Sequence, residues 1–295
     1  MKDLIFTGSA VALITPMKED QSVAFEELKK LAEFHVESGT DAIVVCGTTG
    51  ESATLDDDEH LECIRTVVEV VNGRIPVIAG TGSNNTAHAI MMSKEAAAMG
   101  ADALLIVTPY YNKTNQQGLI ESFNAIVNAA NIPAIIYNVP SRTGVNILPE
   151  TAKELAKNPL ICGIKEASGN ISQVAEIAAL CGDELPLYSG NDDQVVPLLS
   201  LGGKGVISVV ANVAPTQMHQ MCQLWFDGKV SESAAMQLEL MGLSKAMFCD
   251  VNPMPVKAAM NMLGWNAGEC RLPLVTPNEK NLNCIESALK EANLL

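Results

Sequence analysis

Short apolar runs rich in β-branched residues recur along the 295-residue chain, and a segment with helical periodicity follows each of them. Strands that are apolar at nearly every position are typical of parallel sheets covered on both faces. We predict eight such strands, at residues 9–15, 41–46, 76–80, 103–108, 134–138, 161–165, 186–189 and 205–210.

The segments between these strands show the 3.6-residue period of amphipathic helices. Between residues 25 and 36, Leu28, Leu31 and Ala32 share one side, while glutamates and lysines occupy the other. Glycines stand where several helices are expected to end, at positions 39, 73, 100 and 182. Eight alternating units predict a closed (β/α)8 TIM barrel of the α/β class over residues 1–225. Residues 226–295 are predicted to form a C-terminal helical extension packed on the barrel.

Composition and charge limit the kinds of molecule that the protein is expected to bind. Hydrophobic residues make up 48% of the chain and charged residues 18%, which suits one large core. The formal net charge of −15 repels phosphate backbones and anionic lipid, so we expect neither a nucleic-acid nor a membrane partner. The apolar N-terminal stretch resembles a signal peptide, but Thr7-Gly8-Ser9 interrupts it, and we expect a strand there instead.

The eight cysteines form no Cys-x-x-Cys pair and no cluster with histidine. Zinc sites need closely spaced ligands, and we therefore expect no metal site. Because disulfide-like spacing is also lacking, we interpret the cysteines as reduced thiols of a cytoplasmic protein.

In barrels of this type the chemistry lies where each strand runs into the following loop. Three polar loops stand there: Gly47-Thr48-Thr49-Gly50-Glu51, Thr108-Pro109-Tyr110-Tyr111, and Tyr137-Asn138-Val139-Pro140-Ser141-Arg142-Thr143-Gly144. The first can direct backbone N–H groups and threonine hydroxyls at an anion, but it lacks the lysine of a nucleotide-binding P-loop. Simple turns and tyrosines packed at the barrel rim are the alternative interpretations.

Lys165 ends the sixth predicted strand, after Ile161-Cys162-Gly163-Ile164. A lysine in this place is removed from bulk water, and desolvation lowers its pKa. A neutral amine attacks carbonyl carbons, so Lys165 is a candidate Schiff-base nucleophile. The alternatives are an ion pair with a neighbouring carboxylate and a side chain that extends to solvent.

The three loops, the Gly163-Ile164-Lys165-Glu166-Ala167 motif and the Pro253-Met254-Pro255-Val256-Lys257 segment follow one another along the chain. Together they resemble the dihydrodipicolinate synthase family, one of the pyruvate-dependent class I lyases that also include N-acetylneuraminate lyase. The three loops and the Gly163–Ala167 motif are four motifs at consistent spacing that carry the resemblance, and it extends through the chain to the Pro253–Lys257 segment.

The resemblance implies condensation of pyruvate with L-aspartate 4-semialdehyde to 4-hydroxy-tetrahydrodipicolinate, in lysine and diaminopimelate biosynthesis. The reaction would proceed through an imine on Lys165, without any other cofactor. Thr48, Tyr137 and Tyr111 would relay protons, with Tyr111 entering the active site of a neighbouring subunit. The positions that match the family's substrate pocket are Thr49, Arg142, Gly190 and Ile207.

A homotetramer built as a dimer of dimers is also implied, together with an effector site for L-lysine at the subunit interface. The matching positions are Ser52, Ala53, Asp57, His60, Asn84, His88 and Tyr110. Asp57 stands where a histidine is common, and His88 where a glutamate often contacts the lysine. We therefore expect weak to moderate inhibition.

Three other functions remain open from the sequence. Another pyruvate-dependent class I aldolase, such as N-acetylneuraminate lyase or a 2-keto-3-deoxy sugar-acid aldolase, would use the same lysine, but Arg142 favours a small anionic aldehyde. A barrel that only binds a small acid would gain no covalent mass on Lys165. A metal-dependent hydrolase would find only Glu51 and Glu166 as carboxylates at the strand ends.

Overall fold

The computed structural model describes residue 2 and residues 4–295, and at its centre lies a closed barrel of parallel strands. The strands are β1 (Gly8–Ala12), β2 (Ala42–Val45), β3 (Val77–Gly80), β4 (Ala103–Val107), β5 (Ala134–Asn138), β6 (Ile161–Glu166), β7 (Leu187–Ser189) and β8 (Gly205–Ser208). Each strand pairs with the next in chain order, and β8 pairs with β1. The predicted barrel is therefore confirmed.

Helices surround the barrel and continue beyond it. They are α1 (Phe25–Glu37), α2 (Asp57–Val71), α3 (Thr86–Ala98), α4 (Gln116–Ala130), α5 (Pro140–Thr143), α6 (Pro149–Leu155), α7 (Ile171–Cys181), α8 (Val195–Leu199), α9 (Pro215–Phe226), α10 (Val230–Glu239), α11 (Met241–Met247), α12 (Met254–Met262) and α13 (Glu279–Glu291). Helix α9 packs on β1, and α10 packs on α9. Helices α11 and α12 pack on α13. None of the helices in the described residues is long and apolar enough to cross a membrane.

Local sequence sets the ends of these helices, as α2 illustrates. The Asp56 carboxylate accepts a hydrogen bond from the Glu59 backbone N–H at 2.8 Å, and the Glu59 carboxylate accepts one from the Asp56 N–H at 3.3 Å. This reciprocal pair satisfies N–H groups that have no partner inside the helix. At the other end Asn72 and Gly73 adopt positive φ angles of 46° and 72°, which turn the chain towards β3.

The core has two layers because successive strand residues point to opposite faces. Val11 faces the helices, whereas Ala10 and Ala12 belong to a cluster inside the barrel. Tyr188 fills this interior: its ring stacks on Phe6 with centroids 4.4 Å apart, and its hydroxyl donates to the Phe6 carbonyl oxygen at 2.8 Å. The interior is thus packed with side chains, as expected for an eight-stranded barrel.

Four predicted strands extend too far at their carboxyl ends, two of them by one residue and two, the first and the eighth, by two or three residues. Residues 13–15 leave β1 because the Ile14 N–H donates to the Asn212 side-chain oxygen at 3.1 Å. Residues 209 and 210 leave β8 because the Asp192 carboxylate accepts both of their N–H groups. In both cases a side chain that is distant in sequence accepts a hydrogen bond from the backbone just beyond the strand. The local pattern of apolar residues does not predict such a contact.

Candidate active site

A cavity of about 210 Å³ opens at the carboxyl ends of the strands, where the barrel predicts chemistry. Its walls bring together residues from the loops after β2, β5 and β7 and from β6. Among the residues that line it are Thr48, Thr49, Tyr137, Arg142, Lys165 and Gly190. Six of the eight predicted catalytic and substrate-binding residues therefore lie around one space.

Lys165 points into this cavity from β6 and is only 6% exposed. Its Nζ lies 4.3 Å from the centroid of the Tyr137 ring, which stands beside it in the register of β5 and β6. Burial lowers the pKa of Lys165 to about 8; the negative charge of Asp192 opposes this effect, and the positive charge of Arg142 adds to it. About one amine in ten is then neutral at pH 7, against fewer than one in a thousand for an ordinary lysine. The side chain is buried, and within residue 2 and residues 4–295 it has no carboxylate at ion-pair distance.

The phenol of Tyr137 lies between Lys165 and the threonine loop. Burial raises its pKa, whereas the charge of Arg142 and a hydrogen-bonding contact with the Thr48 hydroxyl lower it. The phenol therefore stays protonated at neutral pH. A protonated phenol linked to a hydroxyl can donate a proton to one group and receive one from another.

The threonine loop has a tightly constrained backbone. At Gly50 a Cβ atom would lie 3.1 Å from Cys46 Cα and 3.2 Å from the Leu13 carbonyl oxygen. Thr49 is buried, and its hydroxyl accepts a hydrogen bond from the Asn252 amide at 3.0 Å. Thr48 is less buried and faces the cavity. The loop thus holds one hydroxyl on a fixed partner and presents the other to the cavity.

Arg142 supplies the cation at the mouth of the cavity. It lies on the short helix α5 and donates one hydrogen bond to the Asn252 carbonyl oxygen at 3.1 Å. The guanidinium has five N–H donors, so most of them remain for an anion such as a carboxylate.

Gly190 and Ile207 differ in their relation to the cavity. A Cβ atom at Gly190 would lie 2.6 Å from Ala167 Cβ and 3.0 Å from Lys165 Cε, so only glycine fits without displacement. Ile207 is buried among the inner barrel residues and is not among those that line the cavity, whereas Val209 is.

Tyr111 lies apart from the site of its own chain. Its side chain is 92% exposed, and its backbone has a φ of 69°, in the left-handed region that non-glycine residues rarely adopt. Exposure of so large an aromatic ring is unusual unless another surface covers it.

A second cavity of about 360 Å³ adjoins the first and shares Thr48 and Arg142 with it. Of the positions predicted to form an effector site, this cavity is lined by Ser52, Ala53, His60, His88 and Tyr110. Asp57 and Asn84 do not line it. Instead, the Asp57 carboxylate pairs with His88 Nε2 at 2.8 Å.

Several residues at the site carried no recognisable sequence signal. Asn252 bridges the threonine loop and Arg142, and Phe248 also lines the cavity. Lys257 pairs with Glu51 at 2.8 Å in the interior. These residues lie more than 100 positions from their partners, so only the Pro253–Lys257 motif could have drawn attention to the segment.

The carboxylates considered for a metal site have other partners. Glu51 pairs with Lys257, and Glu166 accepts hydrogen bonds from the Asn138 amide at 2.9 Å and the Ser168 N–H at 2.8 Å. No group of three or more histidine, cysteine, aspartate or glutamate side chains suited to a metal occurs in the part of the chain that the structure describes. Both carboxylates that a metal-dependent hydrolase could use at the strand ends, Glu51 and Glu166, are therefore engaged with other groups.

Comparisons with known proteins agree with this geometry. Residues 5–292 match the Dihydrodipicolinate synthetase family. The chain is 60% identical over 285 residues to the 4-hydroxy-tetrahydrodipicolinate synthase of Caldicellulosiruptor saccharolyticus, which covers 97% of this chain and 96% of the relative. The lysine-bound crystal structure of the synthase from Cyanidioschyzon merolae is 42% identical with a TM-score of 0.96, covering 99% of this chain and 100% of the other. A monomeric dihydrodipicolinate synthase variant is equally similar, at 42% identity and a TM-score of 0.96 over 99% of this chain and 98% of that one.

Proposed function

The chain belongs to the dihydrodipicolinate synthetase family, and on this premise we propose that it condenses pyruvate with L-aspartate 4-semialdehyde to 4-hydroxy-tetrahydrodipicolinate. It is a lyase of the class I aldolase type that acts in lysine and diaminopimelate biosynthesis. One observation carries the proposal: the buried amine of Lys165, whose pKa is lowered to about 8, faces a cavity beside Tyr137 and Thr48.

The reaction begins with the neutral Nζ of Lys165. It attacks the ketone carbon of pyruvate, a C–N bond forms, and the ketone oxygen leaves as water after taking up protons. The resulting protonated imine withdraws electrons, so that the methyl carbon loses a proton and an enamine forms. The enamine carbon bonds to the aldehyde carbon of the second substrate. The amino group of that substrate then attacks the imine carbon, closes the ring and releases the lysine.

Each proton transfer needs a group that can both donate and accept. We assign this relay to Tyr137 and Thr48, whose hydroxyls are in contact beside Lys165, and to Tyr111 of a neighbouring subunit. The exposed ring of Tyr111 supports the last assignment because it lies outside the site of its own chain.

Substrate binding is divided between the two sides of the cavity. Thr49 and the adjoining backbone hold the pyruvate carboxylate, and Arg142 binds the carboxylate of the aldehyde substrate. Gly190 leaves the space that the bent lysine side chain needs. Ile207 supports the cavity from the barrel interior rather than from its wall.

The proposed assembly is a homotetramer formed as a dimer of dimers. Tyr111, 92% exposed, and Leu272, 78% exposed, are large apolar side chains that a partner subunit would cover. Catalysis by Tyr111 depends on this assembly, since a separate subunit would lack one member of the relay.

L-lysine is the proposed effector, bound in the second cavity. Ser52, His60 and Tyr110 are among the residues that line it, and their side chains supply polar groups for a ligand. The Asp57 carboxylate is already paired with His88, so it is not free to bind the amino group of lysine. We therefore propose weak to moderate inhibition.

The remaining assignments follow from the same proposal. The protein acts in the cytoplasm, in keeping with a sequence whose cysteines lack disulfide-like spacing. The imine on Lys165 replaces any external cofactor. The boundary between barrel and extension lies at residues 225 and 226, at the end of α9.

Covalent capture of pyruvate tests the proposal and locates its nucleophile. The enzyme is incubated with pyruvate and borohydride, digested, and analysed by peptide mass spectrometry. We expect the reduced adduct on Lys165 and none on Lys257, a lysine that is equally buried but paired with Glu51. An adduct on Lys257, or none on the chain, would contradict the proposal.

A further inference from the structure

Asp192 is a buried carboxylate beside the active site that none of the roles above uses. It begins the short 3-10 turn after β7 and is 4% exposed. Its Oδ2 accepts hydrogen bonds from the backbone N–H groups of Val209 at 3.0 Å and Val210 at 3.2 Å. Its own backbone oxygen accepts one from the Gln237 amide at 2.9 Å. One carboxylate oxygen and the backbone of Asp192 are thus both fixed by hydrogen bonds.

The other carboxylate oxygen, Oδ1, makes no hydrogen bond of ordinary geometry among the described residues, although the Ser208 hydroxyl lies close enough to lower the pKa of the carboxyl. A buried charged oxygen without a donor is strongly unfavourable unless a nearby positive charge compensates it. The titratable or polar groups that act on Asp192 from the surrounding elements are Ser208 of β8, Cys222 of α9 and Lys165 of β6. Among them only Lys165 can carry a positive charge.

Asp192 adjoins the wall of the cavity that holds Lys165, because Gly190, Asn191 and Val209 line that cavity and the Asp192 carboxylate accepts the Val209 N–H. Gly190 donates its N–H to the Glu166 carbonyl oxygen at 2.8 Å, which aligns the end of β7 with β6. The Lys165 side chain crosses directly over Gly190, where a Cβ atom would lie 3.0 Å from Lys165 Cε. Asp192 follows two residues later.

The neighbouring carboxylate of Glu166 serves as a contrast. It accepts hydrogen bonds from the Asn138 amide and the Ser168 N–H, so its charge is satisfied without the lysine. Both carboxylates are buried, but only Asp192 retains an oxygen that lacks a donor.

The chemistry of the imine supplies a reason for such a carboxylate. The neutral amine and the ketone, together with one proton delivered by the hydroxyl relay, form a protonated imine and water, so a full positive charge develops in a buried site. Such a charge is unfavourable in a low-dielectric environment unless a fixed negative charge lies nearby. We propose that Asp192 is a positioning residue that serves as the counter-ion of the Lys165 cation, above all of its protonated imine. This inference rests on the proposed Schiff base.

The pKa shifts have the directions that this arrangement requires. Asp192 raises the pKa of Lys165, against the lowering by burial and by Arg142. Burial raises the pKa of Asp192, while Ser208, the two backbone N–H groups and Lys165 lower it. The other titratable group that faces Lys165 is Tyr137, whose pKa is raised by burial and which is therefore uncharged.

The test compares Asp192→Asn with wild type and with Asp183→Asn. Asparagine keeps the shape and an oxygen acceptor for the two N–H groups, while Asp183 is a surface residue that controls for the change in net charge. The second-order rate constant for capture of pyruvate by cyanoborohydride is measured from pH 5.5 to 9.5, as ~ten evenly spaced points across the Lys165 titration. Circular dichroism and the melting temperature establish that each variant is folded. Asp192→Ser, with a smaller acceptor, replaces the first variant if asparagine prevents folding.

We expect the acid limb of wild type and of Asp183→Asn to have its midpoint near pH 8. In Asp192→Asn the midpoint moves to lower pH by about one unit because the ammonium form of Lys165 loses its counter-charge, and the plateau falls about tenfold because the protonated imine loses it too. A purely structural role would lower the plateau without moving the midpoint, and that result would overturn the inference. If wild type itself captures no pyruvate, the proposed function fails first and the inference fails with it.

Discussion

The ammonium group of Lys257 lies 2.8 Å from the carboxylate of Glu51, and the two side chains are only 2% and 1% exposed. The second oxygen of Glu51 accepts the Arg271 backbone N–H at 2.8 Å, and Lys257 also donates to the Glu269 carbonyl oxygen at 2.8 Å. Glu51 itself adopts a φ of 55° at the end of the loop that carries Thr48. Helix α12 and the segment that follows it therefore hold the loop that carries Thr48 in a backbone conformation that a non-glycine residue such as Glu51 rarely adopts.

Replacement of Lys257 by methionine tests the importance of this pair. The variant leaves the Glu51 carboxylate buried without its partner, and we expect the free energy of unfolding to fall by about 3–5 kcal/mol. Urea denaturation measures the loss. Lys29→Met is the matched control, because Lys29 pairs with Glu26 on the surface and should change stability by less than about 1 kcal/mol. An equal free energy of unfolding for the two variants would contradict a stabilising role for the buried Lys257–Glu51 pair.

Gly190→Ala addresses the space for the lysine side chain. The added methyl group would lie 2.6 Å from Ala167 Cβ and 3.0 Å from Lys165 Cε, so the lysine must shift. Because small misplacements of a reacting group are costly, we expect kcat to fall at least about tenfold. Gly242→Ala is the control, since its nearest neighbour is 3.8 Å away and it lies on helix α11. Steady-state kinetics that are alike for both variants would refute the steric argument.

The sequence predicted the barrel and most of the residues around its cavity. Continuous apolar runs sufficed to locate eight strands, and the position of Lys165 at the end of one run indicated a desolvated amine. The limits of the strands were less accurate: residues 13–15 and 209–210 leave their strands through contacts with Asn212 and Asp192. Such contacts link distant parts of the chain, so no local periodicity predicts them.

His35 makes stability depend on pH. It is fully buried, and burial lowers its pKa from 6.5 to about 3. Because the unfolded chain binds a proton below pH 6.5 and the folded chain does not, this stability is present above pH 6.5 and is lost as the pH falls towards 3. We expect the free energy of unfolding to decrease by about 1.4 kcal/mol through this group between pH 7.5 and 5.5. Urea titrations at the two pH values should show that decrease in wild type but not in His35→Gln. The same decrease in the two proteins would mean that a group other than His35 causes it.

The substitution Arg142→Lys tests whether Arg142 binds the aldehyde substrate rather than pyruvate. A lysine cannot reproduce the planar set of donors that binds a carboxylate in two places, and Arg142 also contacts the Asn252 carbonyl oxygen at 3.1 Å. We expect KM for the aldehyde substrate to rise at least about tenfold, while capture of pyruvate changes by less than about twofold. Arg74→Lys, which alters a surface ion pair with Glu33, should leave both parameters unchanged. An equal loss of pyruvate capture would contradict the assignment of Arg142 to the aldehyde substrate.

The residues that escaped prediction have a common physical cause. Asn252, Lys257 and Asp192 act through hydrogen bonds or charges that form only after distant segments pack together. Tyr111 was assigned only through the family resemblance, because an exposed tyrosine in a loop has no distinctive pattern. Chemistry at the strand ends could be predicted from the barrel, but the contacts that support it could not.

The central claim is that Lys165 condenses pyruvate with L-aspartate 4-semialdehyde. The most direct test measures product formation from both substrates, coupled to the downstream reductase, in wild type and in Lys165→Ala. We expect robust turnover in wild type and a loss of at least about a thousandfold in the folded variant, because no other group in the cavity can form the imine. Absence of turnover in folded wild-type protein, or undiminished turnover in Lys165→Ala, would contradict the account.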